Sequence, residues 1–329
     1  MDFRTPVELP KGLPLITHNG QILLIGSCFA DNIGNLLAEY KFPVDINPYG
    51  ILYNPLSISV ALDEIIKKKV YTEGDIFYNN ECWQSMMHHG SFSGATSYEL
   101  LDKVNARIQQ AHERISKISW LMLTFGTSYV YKREGSNRVV ANCHKLPESS
   151  FTRSRLGVTE IVNDYTLLIA ELLARNPQIK ILFTVSPIRH IRDGMQANQL
   201  SKSTLLLAID ILQQRFSENV FYFPSYEIMM DDLRDYRFYA EDMVHPSSQA
   251  ISYLWESFST VFFSQETKQL NKSISEISQG LNHRPFHPES EEYKRFLEQI
   301  VLKINRLVEK YPILEFKKEK ELCHIRLNS

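Results

Sequence analysis

The 329-residue chain has only four cysteines, Cys28, Cys82, Cys143 and Cys323, and no two of them form a CxxC pair. Scattered thiols argue against a disulfide framework and fit a reducing compartment, so a cytoplasmic location is expected. Long apolar runs are missing too: no stretch of about 18 apolar residues is available to cross a membrane. Residues Met1 to Lys11 are polar, hold two prolines and lack the apolar core of a signal peptide. Charge of one sign is not in excess. Lysine plus arginine (36) nearly balances aspartate plus glutamate (38), so no broad basic field attracts nucleic acid. There is no Walker loop and no Gly-x-Gly-x-x-Gly, so no nucleotide cofactor is expected. The expected partner is a small-molecule substrate, with neither nucleic acid nor membrane; the oligomeric state is left open.

Apolar residues make up 43% of the chain and charged residues 22%, enough for a sizeable core in one large domain, or one domain with an appendage. Ile22–Ile25 reads as a strand running into Gly26-Ser27-Cys28, followed by a helix with Phe29, Ile33, Leu36, Leu37 and Tyr40 on one face. Asn47 to Pro55 is a proline-bounded loop, Leu56 to Lys69 has helical spacing, and Tyr71 to Gly94 reads as a small hairpin with a long loop. Further helices are expected over Ser97 to Ile118, Val158 to Ala174 and Leu200 to Phe216, and strands over Trp120–Phe125, Ile179–Val185 and Val220–Phe223. Strands alternating with helices predict an α/β fold with a doubly wound parallel sheet. Ligands of such sheets sit beyond the carboxyl ends of the strands, so Gly26-Ser27-Cys28, Gly126-Thr127-Ser128 and Ser186-Pro187 should converge. Residues 265–329 read as a helical extension, with one long helix over Glu291 to Lys310 and a solvated run from Lys317 to Glu321.

A nucleophile on a sharp strand-to-helix turn stands clear of its neighbours, with a helix N-terminus behind it to stabilise negative charge. Ser27 and Cys28 both qualify. Late in the chain, Asp242-Met243-Val244-His245-Pro246 lets one short loop present both side chains. The imidazole can act as base while the carboxylate fixes its tautomer. Pro246 suits the first position of the next helix. The plainer alternative is an Asp242 helix cap beside a surface histidine.

Gly26-Ser27-Cys28-Phe29-Ala30 resembles the motif that gives the GSCFA domain family its name. Asn47-Pro48-Tyr49-Gly50, Gly126-Thr127-Ser128-Tyr129, Asn142-Cys143-His144-Lys145, Ser186-Pro187-Ile188-Arg189-His190 and Asp242-x-x-His245-Pro246 support the resemblance over residues 20–260. That family looks like a branch of the SGNH/GDSL hydrolases. The resemblance implies a flavodoxin-like three-layer α/β/α sandwich with a mostly parallel sheet over residues 1–264, and acyl-ester chemistry with His245 as base. In gapless register with that superfamily's Gly-Asp-Ser block, Gly26 meets the Gly, Ser27 the Asp and Cys28 the nucleophilic Ser. A one-residue shift would select Ser27 but lose the Gly. Side chains of consecutive extended residues point opposite ways, so only one of the pair can face His245. Gly50 matches the oxyanion-hole Gly. The superfamily's Gly-x-Asn becomes Gly126-Thr127-Ser128, so Ser128 or Thr127 would have to replace the Asn; losing one such donor costs roughly 10²–10³ in rate.

Asn142, His89 and Arg189 are further candidates for substrate contact, Arg189 through its bidentate fork. Trp83, His89 and Phe92 can form a substrate wall. Ser201 reads as a cap. The adjacent pairs His88-His89 and Cys143-His144 lack metal-ligand spacing, so no metal is expected. The expected function is hydrolysis of a small acyl ester, on a carbohydrate or cell-envelope precursor by superfamily analogy. Acyl transfer by the same residues and a catalytically silent carbohydrate-binding scaffold are the alternatives.

Overall fold

A computed structural model describes residues 5–283 and 285–328. The apolar run ahead of Ser27 is strand β1 (Gln21–Gly26), and Ser27 caps helix α1 (Cys28–Glu39). Next come β2 (Val44–Ile46), α2 (Pro55–Ile66), the hairpin strands β3 (Ile76–Asn79) and β4 (Cys82–Ser85), α3 (Ser97–Ile115) and β5 (Ile118–Phe125). Three short strands, β6 (Tyr129–Arg133), β7 (Val139–Val140) and β8 (Phe151–Arg155), lead to α4 (Val158–Arg175), β9 (Lys180–Val185), α5 (Met195–Arg215), β10 (Val220–Tyr222) and the single turn α6 (Ser225–Glu227). Four helices follow: α7 (Ser248–Phe262), α8 (Gln265–Asn282), α9 (Glu291–Lys310) and α10 (Lys317–Leu327).

The main sheet is five-stranded and parallel, in the order β10-β9-β5-β1-β2. Numbered by sheet strand alone this is the flavodoxin-like 2-1-3-4-5, whose ligand crevice lies where the order reverses, at the ends of β1 and β5. Both faces are covered, which explains why its strands are continuous apolar runs. Leu23, Ile25, Leu121, Leu123, Phe125, Ile181 and Phe183 point into a core shared with α2, α3, α4 and α5. Their neighbours Ile22, Leu24, Trp120, Met122 and Leu182 point the other way, against α1 and α7. The α/β sandwich is thus a consequence of alternation along three strands. A third apolar cluster, with Ile274, Leu297, Ile304, Phe316 and Cys323, lies among α8, α9 and α10.

Several elements differ from expectation. β2 was too short to recognise. The stretch after Gly126 holds an antiparallel sheet, β7-β6-β8. Helix α5 begins at Met195, so Ser201 lies inside it and caps nothing. Pro246 pairs with Tyr239 in an isolated bridge, and Ser247 is the cap of α7, accepting from the Ala250 amide. Lys317 to Glu321 is solvated as expected, with Lys317, Lys318 and Glu321 exposed, and opens α10, which buries Cys323.

Candidate active site

Gly26 ends β1 against β5. A Cβ there would sit 2.4 Å from the Thr124 carbonyl oxygen, so no larger residue fits without moving the neighbouring strand. Asn47 fixes the turn from the other side: its Oδ1 accepts from the Gly26 amide (2.8 Å) and its Nδ2 donates to Asp31 (2.5 Å). The chain then presents Ser27 and Cys28 differently. Ser27 is only 1% exposed, and its Oγ accepts from the Phe29 amide at 3.3 Å as the α1 cap. Cys28 is partly exposed at the first position of α1, with Sγ 3.9 Å from the Tyr53 hydroxyl. Burial pushes the Cys28 thiol up, Tyr53 pulls it partly back, and the Asp31 carboxylate adds to the rise.

A cleft of about 360 Å³ opens at the carboxyl ends of β1, β5 and β9. Ser27, Cys28, Thr127, Ser186, Arg189 and His245 line it, so all three strand-end turns meet there as topology requires. Tyr53, Asn54, His190 and the β6–β8 residues Tyr129, Tyr131 and Arg153 complete it.

His245 is oriented by Asp242. The carboxylate Oδ2 lies 2.5 Å from Nδ1, and Oδ1 accepts from the amides of Val244 and His245 (both 2.9 Å). Those contacts, the His245 amide first and its ring second, hold the Asp242 carboxyl down to about 2. With Nδ1 engaged, Nε2 is the nitrogen left for chemistry. Among the described residues, the ring makes no hydrogen bond to Cys28 Sγ or Ser27 Oγ. The loop itself is clamped by Arg189, whose amide and guanidinium donate to the carbonyls of Val244 and Met243. The guanidinium also lies over Tyr239 at 4.1 Å, and its Nε is buried without a hydrogen-bond partner among the described residues.

Other expected contributors fall elsewhere. The Gly50 amide donates to the Asn47 carbonyl at 2.7 Å in a turn with φ +76°, so it is not free to bind an oxyanion. Ser128 is fully buried, its amide and hydroxyl directed to Ser201 Oγ at 2.8 and 3.1 Å. Thr127 lines the cleft, but its hydroxyl also meets Ser201 (3.1 Å). Asn142 accepts from the His144 amide (2.9 Å), and His89 caps a short turn by accepting from the Ser91 amide (3.2 Å); neither lines the cleft, nor do Trp83 and Phe92.

Asn54 and Lys202, to which the sequence pattern assigns no role, also bear on the cleft. Asn54 lines the cleft while its Oδ1 caps α2 and its Nδ2 donates to Ser57 (2.9 Å); the Asn-Pro helix start was its only signal. Lys202, on α5, is 1% exposed and donates from Nζ to the carbonyls of Gly126 and Ser186, both at 2.7 Å. It therefore ties two of the three strand-end turns together. Burial lowers it to about 7. A neutral amine has two N–H donors for those two carbonyls. His190 is held neutral by burial first and Lys202 second, at about 4, and its Nε2 has no partner among the described residues.

The chain is similar to a carbohydrate esterase family 3 protein from Talaromyces cellulolyticus at 12% identity and TM-score 0.34, over 77% of this chain and 98% of that one. An acetyl xylan esterase from the rumen bacterium Butyrivibrio proteoclasticus is similar at 11% identity and TM-score 0.40, over 79% and 66%. A family two carbohydrate esterase from Clostridium thermocellum is similar at 13% identity and TM-score 0.34, over 80% and 66%. No curated protein matches. Residues 274–329 match the GSCFA domain protein C-terminal domain. Residues 21–258 match the GSCFA family itself, from the first strand to the helix after His245, and the chain belongs to that family.

Proposed function

We propose that the protein is an acyl-ester hydrolase of SGNH type in which Cys28 is the nucleophile, His245 its base and Asp242 the group that orients His245. One observation carries this reading: of the two adjacent candidates, Ser27 gives its oxygen to the helix N-terminus, while Cys28 extends into the cleft that His245 lines. A thiol raised by burial is protonated at neutral pH, so it needs a base, and His245 Nε2 is the one presented.

Nε2 takes the thiol proton as Sγ attacks the ester carbonyl. The oxyanion is held by the Cys28 amide at the α1 N-terminus and by Asn54 Nδ2, in place of Gly50 and Ser128. Collapse forms a thioester and expels the alkoxide, which takes the proton from His245. Water, deprotonated by the same nitrogen, then releases the acid and the thiol. The contact from His245 to Cys28 closes when substrate is bound, as catalytic hydrogen bonds often do.

Hydrolysis of a chromogenic acetyl ester tests this reading, run with and without an alcohol acceptor to separate hydrolysis from transfer. Cys28→Ala is expected to lower kcat by about 10³-fold or more, while Ser27→Ala retains turnover. Full activity in Cys28→Ala would overturn the assignment.

A further inference from the structure

We infer that Arg153, set over the rings of Tyr129 and Tyr131, and Arg192, hydrogen-bonded to the Tyr131 hydroxyl, form a subsite for a carboxylate carried by the substrate in the wall of the cleft that Cys28 lines. The inference rests on the hydrolase reading only for what the carboxylate is attached to. The guanidinium of Arg153 lies over the Tyr129 ring at 4.0 Å and the Tyr131 ring at 5.4 Å. Arg192 donates from Nη1 to the Tyr131 hydroxyl at 3.0 Å. Ring faces and a hydroxyl thus hold both planar forks in place before any ligand arrives.

Charge in the cleft is one-sided. Arg153, Arg189 and Arg192 line it, and Asp193 is the one carboxylate among the described lining residues. Asp193 answers Arg153 at 2.6 Å. Arg192 is answered from outside the lining by Glu148, whose side chain is 84% exposed. An ion pair that exposed contributes little, so a carboxylate arriving inside the cleft can replace it. Among the described residues, Arg189 has carbonyl and aromatic partners and no carboxylate. The chemistry that fits is a small ester with a carboxylate in its acyl or alcohol part, the carboxylate taken by a guanidinium fork.

Cys28 offers a probe that needs no turnover. Iodoacetate and iodoacetamide are nearly equal in size; each forms an S–C bond at the thiolate and releases iodide, but only iodoacetate carries a carboxylate. Labelling rates are read at the Cys28 peptide by mass spectrometry, with Cys82 and Cys143 in the same samples as folding controls. The iodoacetate-to-iodoacetamide rate ratio is expected to exceed that of free glutathione by about tenfold, because a cleft whose lining sets Arg153, Arg189 and Arg192 against Asp193 concentrates negative counter-charge. It should fall towards the glutathione value at about 1 M salt. Arg153→Gln and Arg192→Gln are expected to lower the ratio, and Glu148→Gln to raise it by removing the competing carboxylate. A damaged fold would not produce that opposite pair of changes. A glutathione-like ratio in the unaltered protein, no response to the arginine changes, or no labelling of Cys28 by either reagent would overturn the inference. The hydrolase reading would survive any of these, since it is judged by turnover in Cys28→Ala.

Discussion

Ser27 gives its oxygen to the α1 N-terminus while Cys28 stands partly exposed in the cleft, and each position predicts a different loss. Ser27→Ala removes the α1 cap and is expected to cost about 1 kcal/mol, seen as a lower thermal midpoint with Cys28 labelling retained. Cys28 sits under opposing influences, burial upward and the Tyr53 hydroxyl downward. Its iodoacetamide labelling is therefore expected to rise with pH around a midpoint above that of a free thiol, and Tyr53→Phe should move that midpoint higher still. An unchanged or lower midpoint in Tyr53→Phe would show that the hydroxyl does not support the thiolate. Asp242→Asn leaves the geometry of the loop amides largely intact but presents the wrong group to Nδ1. Under the proposed mechanism it is expected to lower kcat by about 10²–10⁴-fold.

At the scale of elements, Lys202 joins the ends of β5 and β9 from α5. In the folded state it titrates near 7 against an ordinary 10.5, so between those values the unfolded chain holds a proton that the folded chain does not. Stability therefore rises with pH across that window and is lost as pH falls through it. Lys202→Met removes this dependence, so comparing chemical denaturation of the two proteins from about pH 7 to 10 should show the wild type gaining on the variant. The sheet strands that frame this tie were legible because both faces of a parallel sheet are buried, and continuous apolar runs result. The sheet β6–β8 was not, because its strands are short and charged, with Lys132, Arg133, Arg153 and Arg155 in a stretch that reads as loop. The site divides in the same way. Cys28 and His245 sit at ends of recognisable elements, and topology alone brings them to one cleft. The fates of Gly50 and Ser128 depend on hydrogen bonds made by their own atoms. One is a local turn closed by Asn47, and the other is a contact with Ser201, 73 residues away. No pattern of residue types reports such contacts.

The whole molecule holds its apolar residues in separate clusters, two on the faces of the sheet and one among α8, α9 and α10. The last group meets the sandwich at Lys41, which pairs with Glu319 at 2.5 Å and lies over the Phe316 ring. Hydrogen exchange should find α8–α10 opening as a cooperative unit of its own, apart from β1, β5 and β9; identical protection in both regions would contradict this. Acid should act on the sandwich through His88. This ring is 1% exposed, stacked on Tyr49, and held by burial at about 3. Between about 6.5 and 3 the unfolded chain binds a proton that the folded chain refuses, so stability falls as pH drops through that range. His88→Phe is expected to flatten the acid limb of a stability–pH curve.

The sheet β6–β8 is a single excursion of the chain between β5 and α4, and its ladder closes on itself. It carries Tyr129, Tyr131 and Arg153, whereas Cys28, Asp242 and His245 stand on other segments. Under the proposed function, part of the recognition wall and the reacting groups are therefore encoded in separable stretches of sequence, with Arg192 on a third. Under that reading, variation within this excursion retunes part of the wall that a substrate meets while the proposed reacting groups stay in register, in the way loops graft new preferences onto a fixed frame.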